Sequence, residues 1–277
     1  MHVPGDGAAV DVNVLGPVTA HVNGRSIRPT AAKPRQILAL LALYPRQVVS
    51  ASTLIEELWA DRPPRSARTT LQTYILQLRR LIGDALAAGD GAAKEVLVTE
   101  YGGYLLDVPP EAVDVHEYEH LAAAGQVARD VGDHESAARL LRSALAVWRG
   151  PALVDVPPGT TLGVEAVRLE ESRLNTLECR IEVDLRAGKH HALLSELAVL
   201  TTRQPMHEDL CAHYMIALFR SGRRWQALKV FNGLRGALVD ELGVEPSTRL
   251  QHLQRAILNS DPQLDLAETQ RVRIALN

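Results

Sequence analysis

The polar side chains between residues 68 and 80 have types and spacing suited to contacting nucleic acid. On a helix of 3.6 residues per turn, Thr70, Thr73, Gln77 and Arg80 share one face. Gln can pair with adenine, the Thr methyl group can touch thymine, and Arg binds phosphate or guanine. This face therefore predicts contacts with base edges and phosphates, although an ordinary solvated helix face has a similar composition.

The other residues of this helix divide around that face. Thr69 and Tyr74 lie at the margins of the polar face, while Arg68 and Arg79 flank the apolar stripe on the other side of the helix. Four apolar residues spaced four, three and four apart form a separate stripe, which predicts packing against a core: Leu71, Ile75, Leu78 and Ile82.

A second motif with possible chemistry is His116-Glu117-Tyr118-Glu119-His120, which matches the HExxH pattern of zinc hydrolases. On a helix, both imidazoles would lie on one face beside a carboxylate that could act as general base. The motif opens a helix after a proline linker, and the sequence suggests no persuasive third ligand. Zinc hydrolysis is therefore the less favoured alternative, and we expect no catalytic residues, metal or cofactor.

The charge distribution supports a polyanion-binding segment. Residues 25–80 contain ten Arg or Lys against three acidic residues, a local balance of +7, whereas the whole chain has a net charge of −3. A basic segment beside an acidic remainder is typical of a nucleic-acid-binding module joined to a part that does not contact nucleic acid.

Cysteine usage and hydropathy bear on the cellular compartment. Cys179 and Cys211 are the only cysteines, and they lie far apart in predicted helices, so a disulfide framework is not expected. No secretion signal and no apolar run of membrane-spanning length is evident. We expect a cytoplasmic protein that does not contact a membrane.

The elements that must position the polar face can be predicted from periodicity and turn residues. Residues 10–30 alternate apolar and polar, with turns at Gly16-Pro17 and Asn23-Gly24, which predicts short antiparallel strands. Three helices follow, the first from Pro34 to near Pro45, the second capped by Ser50 or Ser52, and the third over residues 67–81. The stretch EVLVTEYGGYLLDV then predicts two strands that meet at a Gly-Gly turn. This order describes a winged helix-turn-helix.

After residue 110 the strand signals end and helical periodicity continues to about residue 258. Helices of similar length separated by small residues resemble irregular tetratricopeptide repeats, whose surfaces suit protein partners. The predicted fold is therefore an α+β winged helix-turn-helix domain over residues 1–110, followed by an all-α tetratricopeptide-like domain over residues 111–277. A short tail is expected after Asp261-Pro262.

Several ordered motifs across residues 10–260 resemble the antibiotic-pathway activator family often called SARPs. Its DNA-binding domain, similar to the winged helices of OmpR-type response regulators, is matched by LGPV, KPRQILALLAL, LIEELW, TTLQTYILQLRRLIG and VLVTEYGGYLLDV. Its bacterial transcriptional activation domain is matched by VDVHEYEHL, LLRSALAVWRGPALVDV, RLEESRLNTLE, ALFRSGRRWQALKVF and LVDELGVEPSTRLQHLQRAIL.

The resemblance implies a function and partners. Members of the family bind tandem direct repeats in double-stranded DNA upstream of biosynthetic promoters and recruit RNA polymerase holoenzyme. Two protomers would then lie side by side on one face of the DNA. The longer relatives carry a nucleotide-binding or a phosphopeptide-binding module; we find no GxxxxGK motif here and expect neither switch.

The resemblance also implies residue roles within the recognition helix, which corresponds to residues 68–80. Thr73 and Gln77 would point at bases, joined by Thr70 on the same face. The phosphate-contacting group would comprise Arg68, Thr69, Tyr74, Arg79 and Arg80. The wing corresponds to residues 99–104, where Glu100 replaces a common Arg; its charge would repel phosphate, which argues against minor-groove contact.

The loop before the recognition helix, residues 60–66, is the predicted polymerase contact. It carries Asp61, Arg62 and Arg65 around the stiff Pro63-Pro64 pair. The alternative is that the prolines only end one helix and orient the next. A second alternative for the whole chain is a tetratricopeptide-type adaptor whose winged domain binds only protein; weak DNA affinity without salt dependence would favour it.

Overall fold

The structure, a computed structural model, describes residues 9–86 and 90–265. Its contacts group the chain into two compact units. The first unit comprises Met1–Ala123 with Ser143–Leu174, and the second comprises Ala124–Arg142 with Asn175–Asn277. The first unit thus extends past residue 110, the predicted end of the winged-helix domain.

The first unit begins with a three-stranded antiparallel sheet, as predicted. Its strands are β1 (Val10–Asn13), β2 (Thr19–Val22) and β3 (Arg25–Ser26), paired in that order. Alternate residues face the core, because successive side chains of a strand point to opposite sides. The β2–β3 turn uses Asn23 and Gly24, both with positive φ, as expected for a tight hairpin.

Three helices form the body of the winged helix: α1 (Ala32–Leu43), α2 (Ala51–Trp59) and α3 (Ala67–Leu86). The predicted cap of α2 is confirmed, since the Ser50 hydroxyl accepts the Thr53 N–H at 3.0 Å. The third helix continues five residues beyond its predicted end at residue 81. A short helix, α4 (Asp90–Val96), was not predicted, because its Asp-Gly start is typical of a loop.

The second sheet supplies the wing. Strands β5 (Leu97–Glu100) and β6 (Gly103–Leu106) form the predicted hairpin, and β4 (Val49–Ser50) pairs with the other edge of β6. Gly103 is required here because a Cβ at this position would clash with the Val49 carbonyl oxygen of the adjacent strand.

Beyond the wing the described chain is helical. A 3-10 helix (Pro110–Ala112) precedes α5 (Asp114–Asp130), α6 (His134–Ala146) and α7 (Thr160–Arg186), each of which has one part in either unit. The second unit continues with α8 (His190–Arg203), α9 (Glu208–Arg220), α10 (Arg224–Leu242) and α11 (Thr248–Leu258), then a 3-10 helix (Pro262–Asp265).

In the second unit α9 packs against both α8 and α10, which is the pairing predicted for tetratricopeptide-like helices. Its core includes Met215, Phe231, Leu234 and Ile257. The predicted tail after Asp261-Pro262 lies outside the described residues from residue 266 onward. Within the described ranges, no helix combines the length and the apolar character needed to span a bilayer.

A buried carboxylate, Asp114, fastens the first turn of α5 to the end of β1 within the first unit. It accepts the N–H groups of Val14 and Leu15 at 2.8 and 3.0 Å and lies 3.3 Å from an Arg149 nitrogen. Burial raises the pKa of Asp114 although these donors oppose the rise.

A second carboxylate, Asp155, fastens the loop before α7 to the winged helix in the same unit. It accepts the Val18 N–H at 2.7 Å and forms ion pairs with Arg28 and Arg35 at 2.6 and 2.9 Å. Burial alone would raise its pKa, but the hydrogen bonds and the two guanidinium groups lower it overall.

The third link is Glu57 on α2, whose side chain caps the N-terminus of α7. Its carboxylate accepts the N–H groups of Gly159, Thr161 and Leu162 at 2.6, 2.8 and 3.2 Å, and Gln36 donates to it at 3.1 Å. Glu57 is 3% exposed. A Cβ on Gly159 would clash with Glu57, so the close approach requires glycine there.

Candidate nucleic-acid interface

The helix α3 is held by one apolar face and presents the other to solvent. Its predicted core residues are all buried: Leu71, Ile75, Leu78 and Ile82. They pack against the hydrophobic core that includes residues of α1 and α2. The opposite face carries the exposed residues Arg68, Thr69, Gln72, Thr73, Leu76, Gln77 and Arg80.

The three residues predicted to contact bases differ in their exposure to solvent. Thr73 and Gln77 are exposed on the outward face. Thr70 is half-buried, and its hydroxyl is 3.4 Å from that of Ser66. Thr70 is therefore at the edge of the outward face, a less accessible position than the sequence suggested.

Two exposed residues of the outward face, Gln72 and Leu76, were missed by the sequence analysis. Leu76 is 46% exposed, unlike the four buried residues of the apolar stripe. The signal that could have found both is a complete helical projection, because residues 72, 73, 76 and 80 recur at three- and four-residue spacing. Gln72 adds amide groups and Leu76 an apolar group to the predicted contact surface.

Arg79 binds the wing and does not extend freely from α3. Its Nε and Nη2 donate to the Leu97 carbonyl at 2.9 and 2.7 Å, and Nη2 also donates to Thr99 Oγ1 at 2.8 Å. Burial lowers the pKa of the Arg79 guanidinium, with an opposing effect from Tyr104. This geometry favours a positioning role for Arg79 over the phosphate contact predicted from the sequence.

Tyr74 is half-buried at the margin of α3. Its ring stacks on that of Trp59 with centroids 6.4 Å apart, and the Lys33 ammonium lies 4.3 Å from the Trp59 ring centroid. These contacts fix the end of α2 beside α3. Tyr74 thus has a packing role as well as its predicted place near phosphate.

The tip of the wing lies beside the start of α2. The Ala51 N–H donates to the Gly102 carbonyl at 2.8 Å, and Gly102 has a φ of +78°, which favours glycine. Tyr101 is fully exposed and Glu100 is exposed beside it. The wing therefore offers an aromatic ring and a negative charge to whatever approaches it.

A cleft of about 270 Å³ separates the wing from α3. Its lining includes Ser52 from α2, Arg68 and Gln72 from α3, and Thr99 and Glu100 from the wing. Hydroxyl, amide and guanidinium donors thus converge there with one opposing carboxylate. Such donors suit a phosphate or sugar edge, while Glu100 limits how much negative charge the cleft can accept.

The positive charge available to DNA is smaller than the sequence balance suggested. Arg28 and Arg35 are paired with Asp155, and Arg46 is paired with Asp107 at 3.0 Å. Asp155 and Asp107 both lie outside residues 25–80, so the local balance of +7 did not include them. The exposed basic residues without an ion pair in the described structure include Arg62, Arg65, Arg68 and Arg80.

The HExxH segment lies at the start of α5 and serves the core of the first unit. Tyr118 is fully buried and meets the Trp148 ring edge-on at 5.3 Å between centroids. Glu119 pairs with Arg168 at 3.0 Å. Among the described residues, no cluster of three or more His, Cys, Asp or Glu side chains could hold a metal ion.

An outward-facing third helix beside a strand hairpin defines the winged helix-turn-helix class of DNA-binding proteins. Comparison with known proteins agrees. Residues 25–116 match the family described as "Transcriptional regulatory protein, C terminal", and residues 113–258 match "Bacterial transcriptional activator domain". The chain belongs to the SARP family of transcriptional activators.

Similar proteins span the same architecture. The regulatory protein DnrI of Streptomyces peucetius is 57% identical over 257 residues, covering 92% of this chain and 94% of DnrI. The transcriptional regulator RedD of Streptomyces coelicolor is 35% identical, covering 93% of this chain and 73% of RedD. The structure of Mycobacterium tuberculosis EmbR with a low-affinity phosphopeptide is 28% identical, with a TM-score of 0.85 over 97% of this chain and 71% of EmbR.

Proposed function

We propose that this activator binds tandem direct repeats upstream of the promoters of a secondary-metabolite biosynthetic cluster and recruits RNA polymerase holoenzyme there. The observation that carries the proposal is the outward face of α3, which is held beside the wing and offers Arg68, Gln77 and Arg80 to solvent. Membership in the SARP family supports the kind of promoter and the cytoplasmic location.

In this proposal α3 enters the major groove, where some of its residues contact bases and others contact phosphates. Thr73 and Gln77 read base edges, since an amide can pair with adenine and a methyl group can touch thymine. Arg68, Thr69 and Arg80 contact phosphates and fix the register of the helix. Arg79 acts indirectly by holding the wing against α3.

The polymerase contact is assigned to the loop of residues 60–66. Asp61, Arg62 and Arg65 are exposed in it, and Ala60 has a φ of +49°, which turns the chain sharply out of α2. Pro63 and Pro64 limit the conformations of the loop. Two protomers side by side on direct repeats would present two such loops to polymerase on one face of the DNA.

The proposal is tested by footprinting the full chain on the promoters beside its own gene, followed by affinity measurements at several salt concentrations. Arg68→Ala and Arg80→Ala should each reduce the log–log salt slope by about 1, because each removes one phosphate contact. Arg46→Ala is the matched control, since Arg46 is exposed but paired with Asp107, and it should leave the slope unchanged.

The base-reading roles are tested on the same operator. Gln77→Ala should relax base preference at one or two positions by roughly 1–3 kcal/mol. Gln204→Ala, an exposed glutamine in the second unit, is its control. A salt slope near zero for the parent protein, with no protected site, would contradict DNA binding and favour the adaptor alternative.

A further inference from the structure

Leu76 is an apolar side chain at the centre of a polar surface. It is 46% exposed on the outward face of α3 and lies outside the core formed by the described residues of the first unit. A scattered exposed leucine needs no explanation by itself. Its position matters here because the surface around it is the one proposed to enter the major groove.

The residue one turn earlier contributes a second apolar group. The Thr73 hydroxyl donates to the Thr69 carbonyl at 3.0 Å, so the hydroxyl is engaged by the helix backbone. The hydroxyl oxygen can still accept a hydrogen bond, and the γ-methyl is the apolar group that Thr73 offers to an outside contact. Because Thr73 and Leu76 are three residues apart and both exposed on the outward face of α3, this methyl group and the Leu76 side chain are neighbours and make up a small apolar patch.

Hydrogen-bonding groups border the patch. Gln72 and Gln77 lie four residues before and one residue after Leu76, and Arg80 lies four residues after it, all exposed. Such groups would engage base edges and phosphates around the patch. The apolar patch itself needs an apolar partner, and in the major groove the 5-methyl group of thymine is the apolar feature of the base pairs.

We propose that Leu76, with the methyl group of Thr73, recognises the 5-methyl group of thymine in the operator. This inference rests on the proposed insertion of α3 into the major groove. It predicts that each half-site contains a thymine facing Leu76. Replacing Leu76 should reduce the preference for thymine at that position, while the affinity for DNA of unrelated sequence stays the same.

The test replaces each thymine of the footprinted operator in turn with deoxyuridine, which removes only the methyl group and leaves base pairing intact. At one or two positions per half-site the parent protein should bind about fourfold more weakly, because one buried methyl group is lost. Leu76→Ala should bind the thymine operator more weakly, and deoxyuridine at the same positions should weaken its binding less than it weakens binding by the parent protein, because only the Thr73 methyl group remains there.

Two further variants separate contact from folding. Leu76→Met keeps an apolar side chain and should stay sensitive to the methyl group. Leu258→Ala changes a leucine of matched exposure, 45%, at the end of α11 and should behave like the parent protein. Circular dichroism of each variant should match the parent, since neither Leu76 nor Leu258 is buried.

The outcomes distinguish this inference from the proposed function. If the parent protein gives no footprint, the proposed function fails and the inference falls with it. If the footprint is present but no deoxyuridine substitution weakens binding, only the role of Leu76 is overturned. Equal sensitivity of Leu76→Ala and the parent protein to methyl removal would also overturn it, because the methyl group would then be read by another residue.

Discussion

Replacing Glu57 with alanine should destabilise the first unit by about 3 kcal/mol. The change removes the acceptor for three N–H groups at the start of α7, whereas the Gln36 amide keeps its bond to the Glu57 backbone carbonyl at 2.8 Å. Losing an N-terminal cap costs about 1 kcal/mol, and each buried donor left without a partner costs roughly 1–3 kcal/mol. Of the three N–H groups only that of Leu162 belongs to a fully buried hydrogen bond, so one such penalty adds to the cap and the expected total is about 3 kcal/mol.

Glu57→Gln should cost less, about 1–2 kcal/mol. The amide keeps one oxygen acceptor, but it removes a negative charge from the N-terminus of a helix, where such a charge is favourable. It also directs an NH₂ group toward backbone donors. The expected order of stability is therefore parent, Glu57→Gln, then Glu57→Ala.

The assay is equilibrium urea unfolding followed by circular dichroism and tryptophan fluorescence. The control is Glu56→Ala, because Glu56 is the exposed neighbour on the same helix and its loss should change stability by less than about 0.5 kcal/mol. A stability of Glu57→Ala within about 1 kcal/mol of that of Glu56→Ala would show that the cap contributes little.

Three further predictions concern pH, the wing and activation. Asp155→Asn should lower urea stability at neutral pH; because the folded-state pKa of Asp155 is lowered, its difference from the parent should begin to shrink as pH falls below the unfolded value of about 4 and vanish only below the folded-state pKa. A difference independent of pH would contradict this. Arg79→Ala should weaken binding to all sequences without changing the salt slope, whereas a slope reduced by about 1 would restore its phosphate role. Alanine at Asp61, Arg62 and Arg65 together should leave operator affinity at fixed salt largely intact and abolish transcription in a purified system; a triple variant that activates normally would place the activation surface elsewhere.

Local patterns were sufficient to predict most of the winged helix. The apolar stripe of α3, the Ser50 cap and the Gly-Gly wing turn each depend on residues a few positions apart. Periodicity and capping preferences report such short-range geometry directly. The polar face of α3 could therefore be predicted, apart from Gln72 and Leu76, which were not included, and Thr70, which is half-buried.

Long-range pairings could not be predicted from the same patterns. The bond from Arg79 to Leu97 spans 18 residues, and the pairing of Arg35 with Asp155 spans 120. Both contacts depend on how elements distant in sequence pack together. A count of charges along the chain contains no information about that packing. For this reason the charge count omitted the partners of Arg28, Arg35 and Arg46, and the sequence gave no sign that Arg79 contacts the wing.

The bond between Glu57 and α7 also has a consequence for synthesis of the protein. Glu57 and Leu162 are 105 residues apart, and Asp114 is 100 residues from Val14. Closing such long loops costs entropy before the contacts compensate for it, so these links form late in folding. A nascent chain that has just released its wing from the ribosome still has Glu57 uncapped and must wait for about 60 more residues, several seconds of translation at bacterial rates. During that interval the winged-helix region is exposed to proteases and chaperones. Slowing the ribosome within residues 111–162 should therefore increase the fraction of chains that are degraded before completion.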